Sequence, residues 1–352
     1  RPSGPVTRED WAKASNVVYM EDALDKSTPL NIVSIADQRF AVKRYKGGGK
    51  LFNVHSWRPY YEQPDWSFTL YSENILNNFR SDLYYNYNEN EGFHKIGFNG
   101  NLAIWYPWIT GGVSQTFDRN YADTSRDFRW NEFNANIGLR LPLNFSGGLF
   151  YKYLTLSSTF NTQQLYYKQN SNPKPVNSGI QYLSNVISWT IQNQQARQHT
   201  YPRLAHALLL QYRTAVGNNE ARQFLASTSL YLPGIFSSNS LVLNGAYQAR
   251  DTMGQYLFSN SFPIARGYPG FDFPRMWKLG ANYHFPIVYP DWGFAQLVYF
   301  RRIRANLFYD YAWIKSLRSN TVRGLRSAGV ELYFDTRWWN QQSVSFGVRY
   351  SR

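Results

Sequence analysis

Residues 133–143 alternate between apolar and other side chains at every step, and this alternation most constrains the fold. Phe133 and Ile137 are among the apolar positions, whereas Asn134 and Arg140 are among the polar ones. Successive side chains of a β-strand point to opposite faces, so one face of this strand is apolar and the other is polar. The pattern recurs along most of the chain. It predicts an all-β fold: a closed antiparallel transmembrane β-barrel with lipid outside and a wet lumen.

The composition agrees with a barrel of this kind. The 352 residues include 28 Tyr, 24 Phe and 12 Trp, which suits the aromatic girdles at two membrane interfaces. Mean hydropathy is −0.50, because polar lumen residues offset the outward apolar ones. No apolar run reaches the roughly 18 residues that a transmembrane helix needs. A soluble β-sandwich is the alternative, but it would need shorter strands and fewer outward aromatic residues.

Charge and motif content exclude several function classes. The net charge of +14 would suit nucleic acid, but no nucleic-acid motif accompanies it. Lipid phosphates at the barrel rims, with outer-membrane lipid and lipopolysaccharide as their source, and carboxylates of the lumen are the expected partners of the basic residues. The chain has no Cys and its five His have no metal-ligand spacing, so we expect no metal site. No nucleophile elbow or phosphate-binding glycine loop occurs, so we expect no catalytic residue, no cofactor and no enzyme activity.

The strand pattern divides the chain into two regions. Residues 1–64 alternate weakly and include a basic Gly-rich stretch, which predicts a periplasmic lead-in or linker, with a remnant of an upstream domain as one interpretation. A plug or strap across the barrel mouth is the alternative for this region. Residues 65–352 are predicted to form the barrel, with about 14–16 strands.

The longest Gly/Pro-rich interruption in the second half spans residues 250–274. Connections of this length are uncommon unless they are functional or disordered. Arg266-Gly267-Tyr268 lies inside it, and Phe308-x-Asp310 lies on a strand after it, with a Phe-Pro pair between them. Parity places Asp310 on the polar face of its strand, where a carboxylate can accept a bidentate Arg.

This order of motifs resembles the C-terminal barrel of the BamA-type outer-membrane assembly superfamily. The resemblance implies an integral outer-membrane protein with a long extracellular loop that folds into the lumen. It also implies a loop-to-wall lock between Arg266 and Asp310. The motif residues are Arg266, Gly267, Tyr268, Phe308 and Asp310.

Charged residues near the proposed lock leave an alternative open. Arg266 could be a solvated loop charge, and Asp310 could pair with a nearby arginine of its own strand. Strand parity sends four further charges into the lumen, where we expect them to support the lock: Arg302, Arg304, Glu331 and Asp335.

The resemblance implies insertion of outer-membrane proteins or translocation of a substrate, with unfolded outer-membrane proteins or subunits of a larger complex as partners. A passive channel or nutrient-uptake pore and a structural accessory barrel are the alternatives. Four strands follow the interruption, which would leave the chain end outside. We therefore expect either a further strand after Arg352 or two merged strands near Pro290.

Overall fold

The computed structural model describes residues 51–352, except 63, 124–125, 169–174, 197, 218–219, 252–255, 269–272, 296, 316–321 and 340–341. Most of the predicted lead-in therefore lies outside the described residues. The strands are β1 Val54–Glu62, β2 Asp65–Glu73, β3 Phe79–Asn88, β4 His94–Leu102, β5 Trp108–Asp123, β6 Arg126–Asn144, β7 Phe150–Tyr167, β8 Ser178–Asn193, β9 Ala205–Val216, β10 Arg222–Pro233, β11 Ser240–Arg250, β12 Arg275–Val288, β13 Trp292–Phe294, β14 Val298–Lys315, β15 Val322–Trp338 and β16 Gln342–Ser351.

All of these strands belong to one antiparallel sheet. Each long strand pairs with the next along the chain, in the order β1 to β12 and then β14 to β16, while β13 pairs with β14. Within the described residues, β1 is paired with β2 alone and β16 with β15 alone. No helix in the described part of the chain is long and apolar enough to cross a membrane. The all-β architecture is thus confirmed, with 16 strands among the residues that the structure describes.

One face of the sheet exposes large apolar side chains, as the alternation predicts. Ile137 on β6 and Leu279 on β12 are 61% and 58% exposed. Contiguous apolar exposure of this extent is rare in soluble monomers and indicates a partner or a membrane. We call this the apolar face; its exposed residues include Leu83, Ile96, Ile137, Leu139, Ile187, Leu243, Leu279, Leu307 and Val330.

The opposite face, the packed face, carries polar side chains that are buried. Gln248 and Asp310 are fully buried there, and Asn306 is 1% exposed. The connection between β11 and β12 covers them, because Phe262 and Ala265 of this connection belong to one apolar cluster with residues of β10, β11, β12, β14 and β15. The described residues of 251–274 are called the β11–β12 segment below.

The segment also contacts the sheet far from β12. Phe258 packs with Ile180 of β8 and with Ala221. Tyr256 donates a hydrogen bond from its hydroxyl to Gln163 Oε1 of β7 at 3.2 Å. One connection therefore contacts β7 and β8 as well as β12, β14 and β15 across the packed face.

Two parts of the sheet differ from the sequence prediction. The sheet begins with β1, upstream of the predicted start at residue 65. Pro59 inside β1 has no amide donor and suits only an edge strand, which is the position that β1 holds. Near Pro290, the extra element is the three-residue β13, which forms a hairpin with the start of β14. It is too short for a further crossing, so four long strands follow the segment.

Candidate functional site

The β11–β12 segment is held at both ends by one residue. Arg250, the last residue of β11, donates from Nη1 to Phe258 O at 2.9 Å and from Nη2 to Phe273 O at 3.2 Å. These two carbonyls lie near the start and the end of the segment. Arg250 therefore closes the segment into a compact unit on the packed face, and Arg266 lies between the two closing points.

Arg266 binds Asp310 of β14 in a bidentate arrangement. Arg266 Nε lies 2.8 Å from Asp310 Oδ2, and Nη2 lies 2.9 Å from Oδ1. The backbone amide of Arg266 donates to Oδ2 as well, at 3.1 Å. Parallel N–H···O bonds between a guanidinium and a carboxylate fix orientation as well as distance. The segment backbone is therefore held in one register against β14.

The ring of Phe308 supports the guanidinium from below. Arg266 Cζ lies 3.7 Å from the centroid of this ring, which is 4% exposed. A desolvated cation over an aromatic face adds a cation–π attraction to the ion pair. Gly329, paired with Phe308 across β14 and β15, leaves room for the ring: a Cβ at 329 would lie 2.7 Å from Phe308 Cζ.

A second glycine makes room for the carboxylate. Gly280 of β12 is the register partner of Asp310, and a Cβ at 280 would lie 2.7 Å from Asp310 Oδ1. Because residue 280 has no side chain, β12 leaves space for the Asp310 carboxylate at this position. Lys278 of β12 approaches the same carboxylate, with Nζ 3.5 Å from Oδ2, and donates to Ile264 O at 3.2 Å.

Glu331 of β15 is the second carboxylate of the site and accepts from several elements. Its Oε2 accepts from Asn306 at 2.7 Å and from the Tyr333 hydroxyl at 2.8 Å, and it lies 3.4 Å from Arg266 Nη1. Its Oε1 accepts from Arg349 of β16 at 2.5 Å. Glu331 therefore connects the segment to the last strand of the sheet.

These side chains form one hydrogen-bonded group, which we call the Arg266 network. Asn282 closes it, because its Oδ1 accepts from Arg266 Nη2 at 2.6 Å and from Asn306 at 3.2 Å. Buried polar groups that satisfy one another stiffen a structure, and removal of one member leaves the others unpaired. The members are Arg266, Lys278, Asn282, Asn306, Asp310, Glu331 and Arg349.

The other two motif residues lie beside the network. Gly267 has a φ of +82°, which favours glycine, and a Cβ there would lie 2.7 Å from Ser351 Oγ of β16. Tyr268 donates from its hydroxyl to Arg326 O of β15 at 2.8 Å. The structure therefore brings Arg266, Gly267 and Tyr268 against β14, β15 and β16.

The predicted supporting charges divide into two groups. Glu331 belongs to the Arg266 network, whereas Arg302 and Arg304 pair with Asp335, at 2.6 Å and 3.1 Å. The alternative in which Asp310 pairs with an arginine of its own strand does not describe these contacts. Arg302 precedes Asp310 by eight positions on β14, so the two groups lie at different heights of the sheet.

Four residues of the site were not among those predicted from the sequence: Lys278, Gly280, Asn282 and Gly329. The alternation on β12 contains the missing signal, since Lys278, Gly280 and Asn282 share a face between Trp277, Leu279 and Ala281. What that pattern lacks is the register that places Gly280 opposite Asp310. Among the described residues, no group of three or more His, Asp or Glu is positioned to hold a metal ion.

The solved structures that resemble this fold include a BamA structure and a CdiB structure. The crystal structure of BamA from Haemophilus ducreyi lacking POTRA domains 1–3 matches with a TM-score of 0.52 and 12% identity, over 84% of this chain and 69% of that one. CdiB from Escherichia coli matches with a TM-score of 0.52 and 12% identity, over 81% of this chain and 55% of that one. No family model and no curated protein matches the sequence. At this identity the likeness establishes the fold, and the BamA-type resemblance of the sequence is confirmed at that level: this chain has the fold of the BamA and CdiB structures.

Proposed function

We propose that the sheet closes into an outer-membrane β-barrel of a Gram-negative bacterium, with the β11–β12 segment as an extracellular loop inside the lumen. The exposed apolar face supports a lipid-facing exterior. The bridge that the segment makes between β7 and β14 supports an enclosed interior, because both contacts lie on the packed face.

Within that barrel, the proposed role is insertion of other barrel proteins into the outer membrane, or translocation of a substrate through it. The observation that carries this proposal is the bidentate Arg266–Asp310 pair, in a segment that matches the loop motif of the BamA-type superfamily. The partners are unfolded outer-membrane proteins or subunits of a larger membrane complex, with lipid and lipopolysaccharide around the barrel.

The mechanism needs no catalytic residue, cofactor or metal. In the described residues, β1 and β16 each have one edge outside the pairing order. An open strand edge presents backbone donors and acceptors that can pair with an incoming strand. The Arg266 network would hold β12 to β16 in one arrangement while the junction of β1 and β16 opens.

A charge on the apolar face tests the membrane location. Ile187→Arg lies near the middle of β8, at a residue that is 41% exposed. In a bilayer it should destabilise the folded protein by about 2–4 kcal/mol, whereas a strand-end substitution should cost about 1 kcal/mol or less. The matched control is Val216→Arg at the end of β9. Urea unfolding in lipid vesicles measures both; near-neutral values for both variants would contradict a lipid-facing surface.

The role itself is tested by two assays on the purified protein in lipid vesicles. An insertion assay follows folding of an added unfolded outer-membrane protein, and a planar-bilayer recording measures conductance. We expect accelerated folding of the added protein. Steady, solute-selective conductance without insertion would instead establish a passive pore, and inactivity in both assays would favour an accessory barrel.

A further inference from the structure

A second polar site lies on the packed face, away from the Arg266 network. A cavity of about 210 Å³ is formed where β14, β15 and β16 meet the connection between β8 and β9. The connection contributes Thr200 and Tyr201 to its wall. Its other lining residues are Arg301, Arg302, Arg304, Asp335, Thr336, Arg337, Ser343 and Ser345.

Positive charge exceeds negative charge in this cavity. Four arginines line it, and Asp335 is the single carboxylate among the lining residues. The Asp335 carboxylate already accepts several hydrogen bonds: Arg302 donates to it at 2.6 and 2.9 Å, Arg304 at 3.1 Å and Ser345 at 2.8 Å. One carboxylate cannot balance the guanidinium groups of Arg302, Arg304 and Arg337, so the lining of the cavity is positively charged.

Several donors at the cavity wall are buried and have no protein acceptor. Arg304 Nη1, Arg337 Nε and Thr200 Oγ1 each lack a hydrogen-bond partner among the residues that the structure describes. Burial of a donor without an acceptor is costly, and more so when the donor is charged. The three donors come from β14, from β15 and from the β8–β9 connection.

Contacts around the cavity position two of these donors, Arg304 and Thr200. The guanidinium of Arg304 lies over the ring of Tyr333, with Cζ 4.2 Å from the ring centroid, and its Nε is bound to Asp335. Arg302 donates from Nη1 to Gln198 O at 3.1 Å, and the Tyr289 hydroxyl donates to the same oxygen at 3.2 Å. The connection is thereby fixed against β14 and against Tyr289, the residue after β12, and Thr200 lies at the cavity wall.

We propose that this cavity binds a tetrahedral oxyanion of the phosphate class. Arg304 Nη1, Arg337 Nε and the Thr200 hydroxyl donate to different oxygens of the anion. Donors from three separate elements suit a tetrahedral group better than a planar carboxylate, and guanidinium groups form short, charge-assisted bonds to phosphate. The site is independent of any role in protein insertion. The same chemistry is offered by free phosphate and by a lipid phosphodiester.

Binding of inorganic phosphate to the folded protein in neutral detergent tests this site, with isothermal titration calorimetry as the readout. We expect saturable binding that weakens about tenfold or more in Arg304→Gln and in Arg337→Gln, because each removes a charged donor. Arg140→Gln is the matched control, since this exposed arginine of β6 lies outside the cavity, and it should bind as the unmodified protein does.

A third variant and a lipid titration separate loss of binding from loss of folding, and free phosphate from a lipid headgroup. Thr200→Val removes one neutral donor without disturbing an ion pair. We expect a severalfold loss of phosphate affinity and an unchanged circular dichroism spectrum. Titration with micelles containing phosphatidylglycerol, against micelles of uncharged detergent alone, distinguishes the source. Binding of phosphatidylglycerol but not of inorganic phosphate, lost in the cavity variants, assigns a lipid headgroup. Absence of both, or binding that the cavity variants do not change, would overturn the proposal.

Discussion

Asp310→Ala should destabilise the folded protein by about 3–5 kcal/mol, because it leaves the half-buried guanidinium of Arg266 without its bidentate partner. Arg266→Ala should have an effect of similar size, since it leaves two buried carboxylates short of a cation. Lys278 and Arg349 remain near those carboxylates and reduce the cost somewhat. Both variants should also impair the proposed insertion activity.

The double variant gives the sharper measurement. With both partners gone, no unpaired charge is left from the pair, so the combined loss should fall short of the sum of the single losses by about 1–3 kcal/mol. Urea unfolding of the four proteins in lipid vesicles completes the cycle. Arg140→Ala serves as the control for removal of an exposed arginine. Two small effects that simply add would show that Arg266 and Asp310 do not act as a pair.

Gly329→Ala should be the most damaging single methyl addition on β15. The added Cβ would overlap the carbonyl oxygen of Tyr350 and lie 2.7 Å from Phe308 Cζ, and the first of these atoms belongs to backbone that cannot rotate away. Overpacking of this kind costs about 1–3 kcal/mol. We expect lower stability in urea and faster amide hydrogen exchange along β16, because relief requires β16 to move from β15.

The control for this substitution is Gly100→Ala on β4. Its nearest neighbours would be ring atoms of Phe79 and Phe98 at 3.5 Å, which is ordinary van der Waals contact. It should leave the stability nearly unchanged. If both alanine variants behave alike, the close approach at Gly329 is not what holds Phe308 beneath Arg266.

Most of the architecture could be predicted from the alternation of apolar and polar residues. It places the segment between strands that the structure ends at Arg250 and begins again at Arg275, close to the predicted limits. It failed at β1, where Pro59 and consecutive tyrosines hide the period, and the strand is exposed along its whole length. An edge strand without a buried face leaves no period-two signature.

For the site, the sequence predicted which face of each strand a residue lies on, but not which residues of neighbouring strands lie opposite one another. Parity and the motif resemblance singled out Arg266 and Asp310, but period two does not say which residue of the next strand lies opposite. Register supplies that information, and it is register that places Gly280 beside Asp310 and Arg302 beside Asp335. Contacts between residues distant in sequence, such as Tyr256 with Gln163, depend on the path of the β11–β12 segment across the packed face, which the period-two pattern does not contain.

The irregular pairing near the start of β14 has a consequence for how this strand tolerates changes in length. Phe300 pairs with Thr336 and Arg302 with Asp335, so Arg301 is an additional residue without a position in the ladder. Before Arg301, odd-numbered side chains such as Tyr299 lie on the packed face with Arg337. After Arg301, even-numbered side chains such as Arg302 lie on that face. Removal of one residue there would restore regular pairing and keep both halves on their present faces. Deletion of one residue further along β14 would instead move the side chains on one side of the deletion from the packed face to the apolar face, and the reverse.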